Sequence, residues 1–350
     1  MEERTDTHRA RGESDTNAAP SPVNDQPPPV NDLWFAQGEM RAIWKVSVYG
    51  VITFFLLFFV GAAVFVIVPD LDWRFVNPVL LGGAAITASL VCTRLIDRRP
   101  LVDVLALRWH RAAAWQLGMG MVISLLMILV LLGMELAFGG ARMLPGHVTI
   151  SHTLSLLFLG LVAFILVGFA EEILVRGYPF TILQGQGGLV TALVLTSGAF
   201  SLIHVFNPGV GWFAFLNIFL AGIWLGVARV VSGSLWLPVG LHIGWNFFLG
   251  PVFGFPVSGI VERSVWIVRS DGPAWINGGL FGPEGGVLAS LVLIGGTLAF
   301  TLPPLRRAVS RIESPEVRET PEVRGDARRQ EAATMPDKTG SAANGHKSEH

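Results

Sequence analysis

Eight apolar runs, at residues 43–68, 78–96, 115–138, 152–175, 188–206, 212–231, 235–250 and 287–302, alternate with short stretches that hold much of the chain's charge. Each is near the ~20 residues that carry an α-helix across a bilayer core, so the pattern predicts about eight transmembrane helices, the last two short. The flanks differ. Residues 1–37 are polar, with Pro20, Pro22, Pro27, Pro28 and Pro29 among Asp, Asn and Ser; residues 306–350 are polar again and contain the tandem pair SPEVRE/TPEVRG from Ser314 to Gly325. Neither flank can bury enough apolar surface to offset the ordering of its backbone, and both are expected to be disordered tails around a membrane domain at 38–305. The first apolar run is long enough to span and lacks the short basic-then-apolar form of a cleaved signal, so it reads as a retained helix.

An even number of spans puts both tails on one side of the membrane. With that side cytoplasmic, Arg41, Lys45, Arg94, Arg98, Arg99, Arg108, Arg111, Arg176, Arg229, Arg306, Arg307 and Arg311 lie at inner ends, against Arg74, Arg142, Arg263 and Arg269 outside. This asymmetry matches the positive-inside rule. Composition agrees: 51% of residues are hydrophobic and 15% charged, where a soluble domain carries about a quarter charged. The expectation is an all-α, multi-pass protein of the cell membrane with the lipid bilayer as its surroundings. A net charge of −1 without a basic stripe excludes nucleic acid as a partner. Cys92 is the only cysteine, which excludes an internal disulfide and a cysteine-built zinc site. Oligomeric state is not legible.

Ionisable side chains are costly inside a membrane, and each needs a partner or a task. The fourth run ends in Glu171-Glu172-Ile173-Leu174-Val175-Arg176, an E-E-x-x-x-R pattern. Glu172 and Arg176 are four apart and share a helix face, so they can neutralise each other; Glu171 points about 100° away. The fifth run carries Phe200 and His204 (F-x-x-x-H), the seventh His242 and Asn246 (H-x-x-x-N), and again each spacing stacks the pair on one face. His242 and Asn246 can present two donors to a developing oxyanion, while a glutamate and a histidine can position and deprotonate a water. That is equipment for peptide hydrolysis without a Ser or Cys nucleophile. Singly, the three patterns also fit a structural ion pair, a histidine bonded to a backbone carbonyl and an interhelical clamp.

Together and in this order, E-E-x-x-x-R, F-x-x-x-H and H-x-x-x-N on three helices of an eight-helix protein resemble the signature of the CAAX protease and bacteriocin-processing (CPBP) family of intramembrane glutamate endopeptidases. The glycine- and proline-rich text after the last motif, from Gly250 to Gly259 and from Gly278 to Gly285, is similar to a tail of bacterial members. The likeness covers a core of about 150–300. It implies a polar catalytic cavity between helices four, five and seven, a peptide or protein substrate with a membrane-associated segment, and cleavage of CAAX-type or bacterial precursor tails. Carried over residue by residue, it makes Glu171 the general base assisted by His204, Glu172 and Arg176 a brace, and His242 with Asn246 the oxyanion site; spacing leaves open whether Glu171 or Glu172 is the base. It implies no cofactor, with zinc as the alternative, since two histidines and a carboxylate could ligate one. A proton-coupled transporter and a non-catalytic membrane binding partner are the competing functions; the chain lacks the twofold internal pattern common in transporters.

One spacing is awkward. By hydropathy Glu171 lies near the inner end of helix four and His204 near the outer end of helix five, some 20 Å apart at 1.5 Å per residue, unless helix four runs on toward Gln184 or helix five continues and tilts. Elsewhere, Asn217 reads as an interhelical hydrogen bond and Glu135 as a residue reaching water at a helix end. Gly118, Gly120, Gly222 and Gly226 read as close helix contacts. The segment from Pro251 to Gly286 reads as an interfacial or re-entrant loop. Glu284 within it has no evident purpose.

Overall fold

The computed structural model of the protein describes residues 32–36, 38–146 and 149–310. Most of both expected tails lies outside these residues. Their inner margins are ordered, however. β1 (Phe35–Ala36) and β2 (Glu39–Met40) form a small antiparallel hairpin, opened by the Asp32 carboxylate, which accepts from the Trp34 and Phe35 amides at 2.7 and 2.8 Å.

The chain then runs through α1 (Ala42–Ile67), α2 (Trp73–Cys92) with a π-helical turn at Thr93–Asp97, the short α3 (Leu101–Val104), α4 (Arg111–Ala137) and β3 (Ala141–Pro145). Next come α5 (Ile150–Glu172), a π turn at Ile173–Gly177, α6 (Tyr178–Ile203) and α7 (Trp212–Ser232). The remainder is α8 (Trp236–Phe247) with a π turn to Val252, β4 (Trp266–Ser270), α9 (Ala274–Asn277), α10 (Val287–Ala299) and α11 (Pro303–Val309). Five helical segments are long and apolar enough to cross a membrane: Ala42–Ile67, Trp73–Asp97, Arg111–Ala137, Ile150–Ile203 and Trp212–Ser232; α10 and α11, bent by 78°, make a further broken one. The protein is therefore a mainly helical, multi-pass membrane protein. The expected second tail begins too early at 306, because α11 is docked: Trp115 Nε1 donates to the Ala308 carbonyl at 3.1 Å, Gln116 Nε2 to that of Val309 at 3.0 Å, and Val309 is buried.

The fourth and fifth apolar runs are one continuous helical stretch interrupted inside α6, where Gly188 takes φ +82°, ψ 171°. Glycine, without a Cβ, accepts this conformation at little cost. The chain reverses there. Glu171 and His204 are 33 residues apart, which a straight helix would stretch to about 50 Å, yet their side chains lie 3.9 Å apart. Gly188 is 17 residues after Glu171 and 16 before His204, so two antiparallel legs of near-equal length bring both to one level. This removes the 20 Å difficulty: the first leg runs on to the turn, as the extension toward Gln184 required.

The bundle has two ends. Lys45 meets Asp97, Gln186 reaches Met40, and Leu235 bonds Ala106 at one, where most of the Arg and Lys lie. At the other, β3 pairs antiparallel with β4, from Ala141↔Ser270 to Pro145↔Trp266. The Pro251–Gly286 segment, expected as an interfacial or re-entrant loop, folds over this second end and drives Phe255, Val257 and Phe281 into the core. The largest core cluster joins α4, α7, α8 and α10 through Trp224, Leu237, Leu241 and Trp245. Close approach of α4 and α8 needs small residues: a Cβ on Gly244 would lie 2.8 Å from the Met121 Cα, and one on Gly240 would overlap the Leu117 carbonyl. Gly120, Gly222 and Gly226 sit in similarly tight contacts; Gly118, expected among them, faces open space.

Candidate active site

The π turn at Ile173–Gly177 follows directly on Glu172 and, like many such turns at functional sites, widens the helix locally. Glu172 and Arg176 still meet across it, Nη1 to Oε1 at 3.0 Å, and neither side chain has any exposed surface. Arg176 also donates from Nη2 to the Gly222 carbonyl at 3.3 Å and lies 4.2 Å over the Phe200 ring. Glu172 Oε1 takes a second donor, His242 Nδ1, at 2.9 Å. The ion pair therefore fixes the ring of His242 from behind, with Nε2 turned the other way.

In front of that layer lies a cavity of about 740 Å³, lined among others by Glu171, His204, His242 and Asn246. His204 Nδ1 donates to the Phe200 carbonyl at 2.7 Å, because a carbonyl can only accept, and so its Nε2 also faces forward. Glu171 Oε2 stands 3.9 Å from His204 Nε2 and 3.7 Å from His242 Nε2. It has no hydrogen-bond partner among the described residues. Two ring nitrogens and a carboxylate oxygen thus converge at separations too long for direct bonds. One water about 2.8 Å from each could bridge them, donating its two hydrogens to the Glu171 carboxylate and to His204 Nε2 and accepting from His242 Nε2 when that ring carries both protons.

All six residues singled out in the sequence meet here: four on the cavity wall, with Glu172 and Arg176 enclosed behind them. The zinc alternative can be tested on spacing. Two ligand atoms of a tetrahedral zinc with bonds of ~2.0–2.1 Å are about 3.3 Å apart, closer than either separation at Glu171. Among the described residues no three His, Cys, Asp or Glu side chains are placed to hold a metal ion.

Other buried polar residues brace the surrounding structure. Glu284 receives Trp245 Nε1 at 2.9 Å, the Ser258 amide at 2.5 Å and the Ser258 hydroxyl at 3.1 Å. It pins the folded-over segment to α8 one residue from Asn246 and lines the cavity. Asn217 supports the same segment, donating to the carbonyls of Glu284 and Gly286 and accepting from Ser290 Oγ on α10. Glu135 corrects its expectation: it is fully buried under the β3–β4 end, with neither carboxyl oxygen partnered among the described residues. At the cavity mouth Arg74 binds Asp72 and holds its carboxyl below the usual range, while burial pushes the nearby Glu262 up.

Fold and site define a multi-pass membrane protein with a carboxylate–histidine cluster enclosed between its helices. Residues 153–248 match the family model for type II CAAX prenyl endopeptidase Rce1-like proteins, and that stretch contains all six clustered residues. The match agrees with the resemblance read from the three motifs. No curated protein matches the chain.

Proposed function

We propose that the protein is an intramembrane endopeptidase that uses a glutamate-activated water, without a metal, to cut a peptide bond near the end of a membrane-associated protein or peptide. The supporting observation is Glu171 Oε2, unpartnered among the described residues, on the cavity wall and facing both histidine Nε2 atoms. Glu172 is completely enclosed and committed to Arg176 and His242. This favours Glu171 as the base and Glu172 as the brace.

In the proposed reaction Glu171 takes a proton from water held against His204, and the water oxygen bonds to the scissile carbonyl carbon. The carbonyl oxygen becomes an oxyanion facing the Asn246 amide and His242, whose ring carries both protons with Glu172 balancing its charge. The C–N bond then breaks as the proton passes from Glu171 to the departing nitrogen, leaving an acid and an amine. CAAX-type tails and bacterial precursor peptides are the substrate class. Eight passes with both termini cytoplasmic are the accompanying topology, since helical segments occupy each apolar run and alternate between the two ends of the bundle.

The test is hydrolysis of membrane-anchored quenched peptides by purified protein in lipid. Glu171→Gln and His204→Ala should abolish cleavage at unchanged folding, and a chelator should leave wild type active. Cleavage that survives both substitutions sinks the assignment; loss on chelation alone restores zinc.

A further inference from the structure

We infer that Tyr49 of α1 is a positioning residue for Glu171: its hydroxyl holds the π turn that joins Glu171 to Arg176, so the reacting cluster is completed by a helix outside the matched stretch 153–248. The contact stands on geometry; the task it serves rests on the peptidase reading above.

The π turn at Ile173–Gly177 sets how Glu171 stands relative to the enclosed ion pair. Leu174 is three residues after Glu171, about 4.5 Å at the helical rise, and two before Arg176, so a shift of Leu174 moves the base against its brace. A π turn bonds each carbonyl to the amide five residues on. For Leu174 that residue is Pro179, which has no N–H. The α-helical alternative, the Tyr178 amide, follows Gly177, whose ψ of −112° departs from helical geometry. The Leu174 carbonyl is thus an acceptor inside the bundle that its own helix serves badly, and such groups take partners from elsewhere. Tyr49 Oη donates to it at 3.1 Å.

Tyr49 is aimed there by a polar network to which the proposed reaction gives no part. Its side chain is buried, and its ring stacks on that of Tyr178 with centroids 5.3 Å apart. Tyr178 Oη donates to Asp97 Oδ2 at 2.8 Å, and Asp97 Oδ1 accepts from Lys45 Nζ at 2.7 Å. Lys45 lies one turn before Tyr49 on α1. The first helix, the π turn after α2 and the start of α6 are thereby latched around Leu174. The side chains of Lys45 and Asp97 are only 7% and 3% exposed; a pair so enclosed adds little net stability over apolar packing, and what it supplies is a fixed register for the groups bonded to it. Tyr49 and Glu171 line the same cavity, so the latch reaches the site through a single turn of helix.

Tyr49→Phe keeps the stacked ring and removes only the donor. With the quenched peptides it should lower kcat by roughly 10–100-fold, as for a slightly misplaced reacting group, with KM and the unfolding midpoint near wild type. Pro179→Ala gives position 179 a main-chain N–H for the Leu174 carbonyl, so Tyr49→Phe/Pro179→Ala should regain most of the lost kcat. Wild-type kcat in Tyr49→Phe overturns the inference; so does a loss confined to KM, or one that Pro179→Ala leaves untouched, because the hydroxyl would then act on substrate and not through the turn. Amide exchange at Val175–Tyr178 should quicken in Tyr49→Phe and slow again in the double variant; unchanged exchange overturns the hold on the turn whatever the protein catalyses. A wild type that cuts no peptide overturns the peptidase reading, and the exchange result then decides the contact by itself.

Discussion

Arg176→Met tests the enclosed ion pair most directly. Arg176 and Glu172 have no exposed surface and are 3.0 Å apart, so removing the guanidinium leaves a carboxylate with no route to water and only His242 Nδ1 as a partner. Breaking a buried pair from one side costs roughly 3–5 kcal/mol, mainly through the charge left behind. The lost stacking over Phe200 at 4.2 Å adds up to about 2 kcal/mol when desolvated. Removing both charges in Glu172→Gln/Arg176→Met should recover much of this, giving a coupling energy within the ~0.5–3 kcal/mol seen for interacting neighbours. Equilibrium unfolding in mixed lipid–detergent micelles provides the four free energies. A single variant within about 1 kcal/mol of wild type, or a double variant as unstable as the two losses added, would refute the view that the pair is a mutually dependent unit.

Other perturbations separate chemistry from scaffold. Asn246→Ala should lower kcat by about 10²–10³-fold with KM little changed, as expected for an oxyanion donor; steady-state cleavage of an anchored peptide decides, and an effect confined to KM would count against that role. Glu284→Ala strands the Trp245 and Ser258 donors, at about 1–3 kcal/mol for each buried group left unsatisfied, and should speed amide exchange in β4 and the flanking turns; unchanged protection there would refute the anchoring role. Gly240→Val should prevent folding because its Cβ would meet the Leu117 carbonyl, whereas Gly118→Val, with open space around its Cβ, should be tolerated; expression and size-exclusion profiles distinguish them. Glu135→Leu, replacing a buried carboxyl unpartnered among the described residues, should stabilise the protein in the same unfolding assay; a loss above about 1 kcal/mol would reveal a missing partner.

The cluster itself was legible because its internal geometry is local. Each motif spaces two polar residues four apart, and that spacing fixes a shared face wherever the helix sits. Relative height was not legible. Hydropathy gives runs but not how far a helix continues through polar text such as Gln184 to Gln186, and a single glycine made the turn. Glu284 was opaque for the opposite reason: its partners Ser258 and Trp245 are 26 and 39 residues away, beyond any periodic pattern. Glu135 was misplaced because the turn at Gly139 packs against its carboxyl and is itself held by Asn277, from a distant segment rich in Gly, Pro and Trp. The early start assigned to the second tail has a similar cause: Pro303–Val309 looks polar, but its last carbonyls are claimed by Trp115 and Gln116 from nearly 200 residues away.

The reversal at Gly188 also restricts how this chain can change length. Each residue inserted into or deleted from one leg of the hairpin slides that leg by about 1.5 Å and turns it by 100°, carrying Glu171 or His204 out of step with the other. The two legs behave like the scales of a vernier, aligned at one setting. A one-residue change is absorbed only within the turn itself, and a change in one leg can be offset only by a matching change in the other. Length variation in this protein should therefore collect around Gly188 and in the connections beyond the helix ends, while the stretches Glu171–Gly187 and Leu189–His204 keep their residue count.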